Sequence, residues 1–130
     1  MSTPVLALKH GANHRRDLET MATRSNSGQP WRNSSNTFHG EPVTVNDRPG
    51  YGKMSGPELD EFLGHRGAGR IEFVIYSYST PIAYLVKGEP GHPSFWLITD
   101  TRYSNTTTQQ VGRLYLLRQE RFGYHGPDAS

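Results

Sequence analysis

Arg70-Ile71-Glu72-Phe73-Val74-Ile75-Tyr76-Ser77-Tyr78 is the stretch on which the fold turns. β-Branched and aromatic residues crowd it, and these suit a pleated, half-buried surface. At period two, Ile71, Phe73, Ile75 and Ser77 fall on one face, and Glu72, Val74, Tyr76 and Tyr78 on the other. Pro81-Ile82-Ala83-Tyr84-Leu85-Val86 follows at once as a second strand. Pro81 has no N–H for a ladder, so it belongs at a strand start or edge. Gly88-Glu89-Pro90-Gly91 reads as a turn, and Phe95-Trp96-Leu97-Ile98 as a third strand. Connections this short do not cross over into parallel pairing, so the spacing predicts a three-stranded antiparallel meander.

A helix is expected on each side of it. Ser55-Gly56-Pro57-Glu58 has capping-box spacing, in which Ser55 accepts from the N–H of Glu58 and the Glu58 side chain reaches back. Pro57 sits in the first turn, where a missing donor is harmless. Leu59, Phe62 and Leu63 continue at helical spacing, and Gly64 or Gly67 ends the helix. The last helix is expected from Asn105 to Leu117. Ser104, Thr106 and Thr107 compete for its cap, and Val111, Leu114, Tyr115 and Leu117 form its apolar side.

The rest of the chain offers less. Residues 1–50 read as a polar, poorly ordered arm, since Arg24 to Asn36 is almost free of aliphatics. Asp17 to Met21 has room for one helical turn but no repeating apolar face, and Trp31, Phe38, Val43 and Val45 are candidate anchors of the arm on the folded unit. The organisation is therefore an arm at 1–50, one α+β domain at 51–120 and a frayed tail at 121–130. The fold class is α+β: a small three-stranded antiparallel sheet flanked by two helices, with a largely irregular N-terminal arm.

Composition narrows the function. Only 33% of the 130 residues are hydrophobic, and ordering each residue costs roughly 1–2 kcal/mol of backbone entropy, so the core must be small. With no cysteine, disulfides, thiolate zinc, iron–sulfur clusters and cysteine nucleophiles are excluded. No apolar stretch approaches the ~20 residues that span a bilayer, and no secretory signal opens the chain. No membrane association and a cytoplasmic location are expected. A net charge of +2 permits weak attraction to phosphate without indicating it.

Two strings carry a resemblance: Tyr76-Ser77-Tyr78-Ser79-Thr80-Pro81-Ile82-Ala83-Tyr84, and Asp100-Thr101-Arg102-Tyr103-Ser104-Asn105-Thr106-Thr107. Together they resemble a paired signature in a family of small uncharacterised actinobacteriophage-type proteins. There a Ser-Tyr-x-Thr-Pro-Ile-Ala segment precedes, by one strand, a Tyr-Ser-x-Thr-Thr segment that opens a helix. The likeness spans about residues 34–115, with Asn36-Thr37-Phe38-His39-Gly40 a weaker part. It implies a phage accessory protein acting in the host cytoplasm, a context and not a mechanism. Family members often carry His three residues beyond the paired threonines, where this chain has Gln110. Glutamine keeps a hydrogen bond but does not exchange protons near neutral pH or replace an imidazole ligand well.

Candidate binding residues follow from these strings. Tyr103, Ser104, Thr106 and Thr107 open a helix whose free N–H groups suit an anion, although their hydroxyls also suffice as caps. Tyr76, Tyr78, Tyr84 and Trp96 can offer aromatic faces for stacked bases, with Arg70, Lys87 and Arg102 for phosphates, or else form core. Tyr78, Thr80, Tyr84, Trp96, Arg102, Tyr103, Ser104, Thr106, Thr107 and Gln110 make up the candidate binding set. His10 and His14 have the spacing of two ligands on a helix, but Gly11 and polar neighbours argue against a helix there. Asp60 and Glu61 are adjacent and diverge, and Ser77 and Ser79 lack a nucleophile elbow. Arg113, Arg118 and Arg121 suit a basic helix end. The expectation is a non-catalytic protein that binds a host protein or nucleic acid, without metal or cofactor. The rival is a small hydrolase with a site assembled from distant Ser, His and Asp residues.

Overall fold

The computed structural model describes residues 5–8, 15–44 and 46–117. Its strands are β1 (Leu6–Ala7), β2 (Trp31–Arg32), β3 (Phe38–Pro42), β4 (Ile71–Ser77), β5 (Thr80–Val86) and β6 (Phe95–Ile98). Its helices are α1 (Arg15–Asn26), α2 (Gly56–Gly67) and α3 (Asn105–Gly112). The strands form one six-stranded sheet in chain order, β1-β2-β3-β4-β5-β6. β1 pairs with β2 in parallel, and every other neighbouring pair is antiparallel.

This corrects the expected small three-stranded sheet. The α+β class and the β4-β5-β6 meander hold, but the sheet continues through the arm expected to be irregular. β3 pairs with β4 along its whole length, Phe38 opposite Ser77 and Pro42 opposite Phe73. Gly40 is required there, because a Cβ would come within 2.5 Å of the Trp31 indole nitrogen and 2.6 Å of the Phe73 ring. Pro42 is tolerated because it ends the strand. The arm is bound from the other side by α1, where Leu18, Met21, Ala22 and Ser25 recur at helical spacing and are buried.

Two cores lie on opposite faces of the sheet. One joins α1 and the end of the described chain to Trp31, Phe38, Phe73, Ile75, Leu85, Trp96 and Ile98. The other joins α2, through Phe62, to Val74, Tyr76, Tyr84, Val86 and Leu97. The simple alternation expected for β4 fails at its start. The pairing slips between Ile71 and Phe73, where Glu72 is an extra residue, and Ile71 turns to the α2 face beside Val74. A second slip, at Ile82, turns that side chain to the α1 face.

The helices also depart from expectation. Ser55 precedes α2 but its side chain makes no cap hydrogen bond; the Glu58 carboxylate instead accepts from the Thr101 hydroxyl. The last helix does not run unbroken to Leu117. α3 ends at Gly112, and Arg113 and Leu114 donate their N–H groups three residues back, to Gln110 and Val111 at 3.0 Å each. That tighter turn lets Leu114, Leu116 and Leu117 all enter the α1-face core. The expected tail at 121–130, Val45, His10, His14, Arg118 and Arg121 lie outside the described residues.

Candidate functional site

One end of the sheet gathers both sequence strings. There β4 turns into β5 through Tyr78 and Ser79, α2 begins, β6 ends, and α3 begins. The strings are tied by hydroxyls. Ser77 Oγ and Thr107 Oγ1 lie 2.7 Å apart and buried. Ser104 Oγ is 3.1 Å from Thr107 Oγ1 and accepts from the Thr107 N–H at 3.1 Å, making Ser104 the cap of α3. A net contribution of roughly 1 kcal/mol per such bond makes the link a fastening of α3 to the hairpin. Thr80, also buried, accepts through Oγ1 from the Lys53 N–H at 2.9 Å. Gly52, with φ of +53°, packs so closely on Ser79 and Thr80 that a Cβ would collide with the Ser79 carbonyl oxygen.

Those contacts set two aromatic rings into solvent. Tyr78 is 56% exposed and Tyr51 45% exposed, on chain segments that touch through Gly52. Tyr78 has φ of +57°. A two-residue hairpin turn normally puts glycine or asparagine in that left-handed region, where a bulky side chain costs about 1–3 kcal/mol. The Tyr78 N–H donates to the Thr37 carbonyl at 2.8 Å, which helps to hold the turn.

Beside the turn lies a cavity of about 220 Å³, bounded by Pro57, Glu58 and Glu61 of α2, Pro81, Ile82 and Tyr84 of β5, Leu97 and Ile98 of β6, and Thr99, Asp100 and Thr101. Its apolar floor is formed by Pro81, Tyr84 and Leu97, all buried. Its charged lining is acidic, from Glu58, Glu61 and Asp100, with no lysine or arginine. Burial, and then the charges of Glu61 and Glu58, raise the Tyr84 phenol above its ordinary pKa. Burial likewise raises Tyr103, with Glu58 adding to it and the hydroxyls of Thr101 and Thr99 opposing. Both phenols therefore remain neutral at physiological pH.

The candidate residues thus divide. Tyr78, Thr80, Arg102, Tyr103, Ser104, Thr106 and Thr107 share this end, and Tyr84 floors its cavity. Tyr78, Arg102, Ser104 and Thr106 are exposed, whereas Thr80 and Thr107 are buried fastenings. Trp96 is fully buried on the opposite face, donating its indole N–H to Asn26 Oδ1 at 2.9 Å. Gln110 is buried, with no hydrogen-bond partner for its Oε1 among the described residues. The aromatic platform for bases is not assembled, because Tyr76, Tyr84 and Trp96 are core and only Tyr78 is displayed. Sequence reasoning missed Tyr51, Glu58 and Glu61 as surface groups. Glu58 and Glu61 are three apart on α2 and share a face, a spacing that the adjacency of Asp60 and Glu61 obscured. Among the described residues, no group of three or more His, Asp or Glu is placed to hold a metal ion. No described helix is long and apolar enough to cross a membrane.

Fold and geometry define an α+β protein: a mixed six-stranded sheet with a concave, acidic, tyrosine-edged surface at one end. The family of unknown function DUF8033 matches residues 8–119, and the chain belongs to that family. Neither a curated protein nor a solved structure matches it.

Proposed function

We propose that this is a non-catalytic binding protein, a phage-type accessory chain that engages a protein of its actinobacterial host. The observation that carries the reading is Tyr78, an aromatic ring displayed on a turn that would be relaxed by glycine. Strain of this kind persists only where the surrounding structure enforces it, and here Gly52, Thr37 and the Ser77–Thr107 bond do so. Exposed tyrosines contribute large contact area at little entropic cost, and they are enriched at protein interfaces. The carboxylates of Glu58, Glu61 and Asp100 at the same end of the sheet disfavour a phosphate backbone, which favours a protein over a nucleic acid. The hydroxyls of Ser77, Ser104 and Thr107 are engaged with one another and with the α3 backbone, which supports a fastening role over a nucleophilic one. The phage setting rests on the resemblance of the two strings.

Affinity capture from an actinobacterial lysate tests this. A host protein is expected to be retained after nuclease treatment and through a high-salt wash, and to be lost with Tyr78→Ser. Capture that vanishes entirely with nuclease, or that ignores Tyr78→Ser, overturns the proposal.

A further inference from the structure

The cavity between α2, β5 and β6 has a size and chemistry of its own. At about 220 Å³ it is smaller than the roughly 300–1,000 Å³ of sites for drug-sized ligands, so it matches one side chain better than a cofactor. Its depth is apolar, through Pro81, Tyr84 and Leu97, and its charge is supplied by Glu58, Glu61 and Asp100. Glu58 is braced by the Thr101 hydroxyl. The Glu61 side chain is 47% exposed, with His65 Nε2 3.9 Å away. An apolar slot with an acidic lining complements a side chain that is aliphatic along its stem and cationic at its tip. An aliphatic residue would gain nothing from the acidic lining, and an acidic residue would be repelled.

We infer that this cavity receives a lysine or arginine side chain of the protein partner, with its stem against Tyr84 and Leu97 and its cationic head between Glu58, Glu61 and Asp100. The inference rests on the proposed protein-binding role and names the chemistry that the cavity selects. Tyr78 and Tyr51 then supply aromatic contact alongside, while the cavity decides which residue of the partner is accepted.

Capped tripeptides Ala-Lys-Ala, Ala-Arg-Ala, Ala-norleucine-Ala and Ala-Glu-Ala, titrated into the full chain and followed by amide NMR, provide the test. The lysine or arginine peptide should give saturable shifts at Tyr84, Leu97 and Thr99 to Thr101. It should bind roughly fivefold to tenfold more tightly than norleucine, allowing for solvent screening of partly exposed carboxylates. Glu61→Gln should erase most of that preference while leaving the remaining spectrum unchanged. Equal binding of norleucine, or no saturable shift with either cationic peptide, overturns the inference. The two proposals fail separately. A host protein captured through Tyr78 and indifferent to Glu61→Gln leaves the binding role standing without the basic side chain. Selective peptide binding with no captured host protein leaves the cavity's chemistry standing without the host role.

Discussion

The two faces of the sheet use their aromatic residues in opposite ways. On the α1 face the large rings are sealed and each indole is tethered. Trp31 donates to Ser25 Oγ at 2.7 Å and Trp96 to Asn26 Oδ1 at 2.9 Å, both acceptors lying at the end of α1. On the α2 face the buried rings of the sheet are Tyr76 and Tyr84, with Phe62 of α2 edge-on to Tyr84, and an acid-lined hollow opens between α2, β5 and β6. The polar groups of the first face lock a helix in place, and those of the second remain at a surface. The indole face binds a helix to the sheet, whereas the proposed recognition falls where the Tyr78 and Tyr51 rings reach solvent.

Substitutions sharpen that contrast. The largest effect belongs to the α1 face. Trp31→Ala should lower unfolding free energy by about 3–5 kcal/mol, because it empties the space between α1, Phe38 and Gly40. Denaturant titration measures this, and a loss below about 1 kcal/mol would mean that the first fifty residues are dispensable to the fold. Ser77→Ala should cost about 1–2 kcal/mol by removing a buried partner of Thr107, which keeps its contact with Ser104. Hydrogen exchange should then rise in α3 ahead of the α1 core; a rise confined to α1 would contradict the fastening.

Tyr78→Gly should act in the opposite direction. Relief of the left-handed strain should stabilise the chain by up to about 1 kcal/mol while abolishing partner capture. A destabilised variant with intact capture would break the proposed split between stability and recognition. The smallest effect is a pH dependence. His39 is stacked on Tyr76 at 5.0 Å, and burial lowers its pKa, with Glu41 opposing. Its folded pKa lies below the ordinary value of about 6.5, so the unfolded chain binds the proton more readily. Stability should therefore be full above pH ~6.5 and decline as the pH falls toward the folded pKa. Denaturation at pH 7.5 and 5.5 should show a smaller decline for His39→Gln than for the unmodified chain.

How far the sequence revealed this depends on the length of each pattern. β4, β5 and β6 were legible because their runs of β-branched and aromatic residues are long enough to show a strand, and β6 was located at Phe95–Ile98. β1 and β2 have only two residues each, too few for any periodicity, and β3 is interrupted by His39, Gly40, Glu41 and Pro42. Gly40 is a strand residue that must stay small because Trp31 and Phe73 fill the space of a side chain. α1 was hidden because Ser25 completes its buried stripe and Asp17 is buried beside it, so an aliphatic count underestimates that face. At the site, the structure brings the two strings together at one end of the sheet, where Ser77 meets Thr107. The cavity needed tertiary information, since α2, β5 and β6 each contribute only part of its wall. The extra residue at Ile82 also breaks the alternation from which facing directions are read.

Strand order that follows chain order has a kinetic consequence. Once the tight β4–β5 hairpin has closed, each outer strand can dock beside its sequence neighbour without threading past strands already in place. Local closures of this kind carry low loop entropy and favour rapid assembly. The β1–β2 pair, whose parallel alignment requires α1 as a crossover, is the natural last step and the place where a stalled chain would wait.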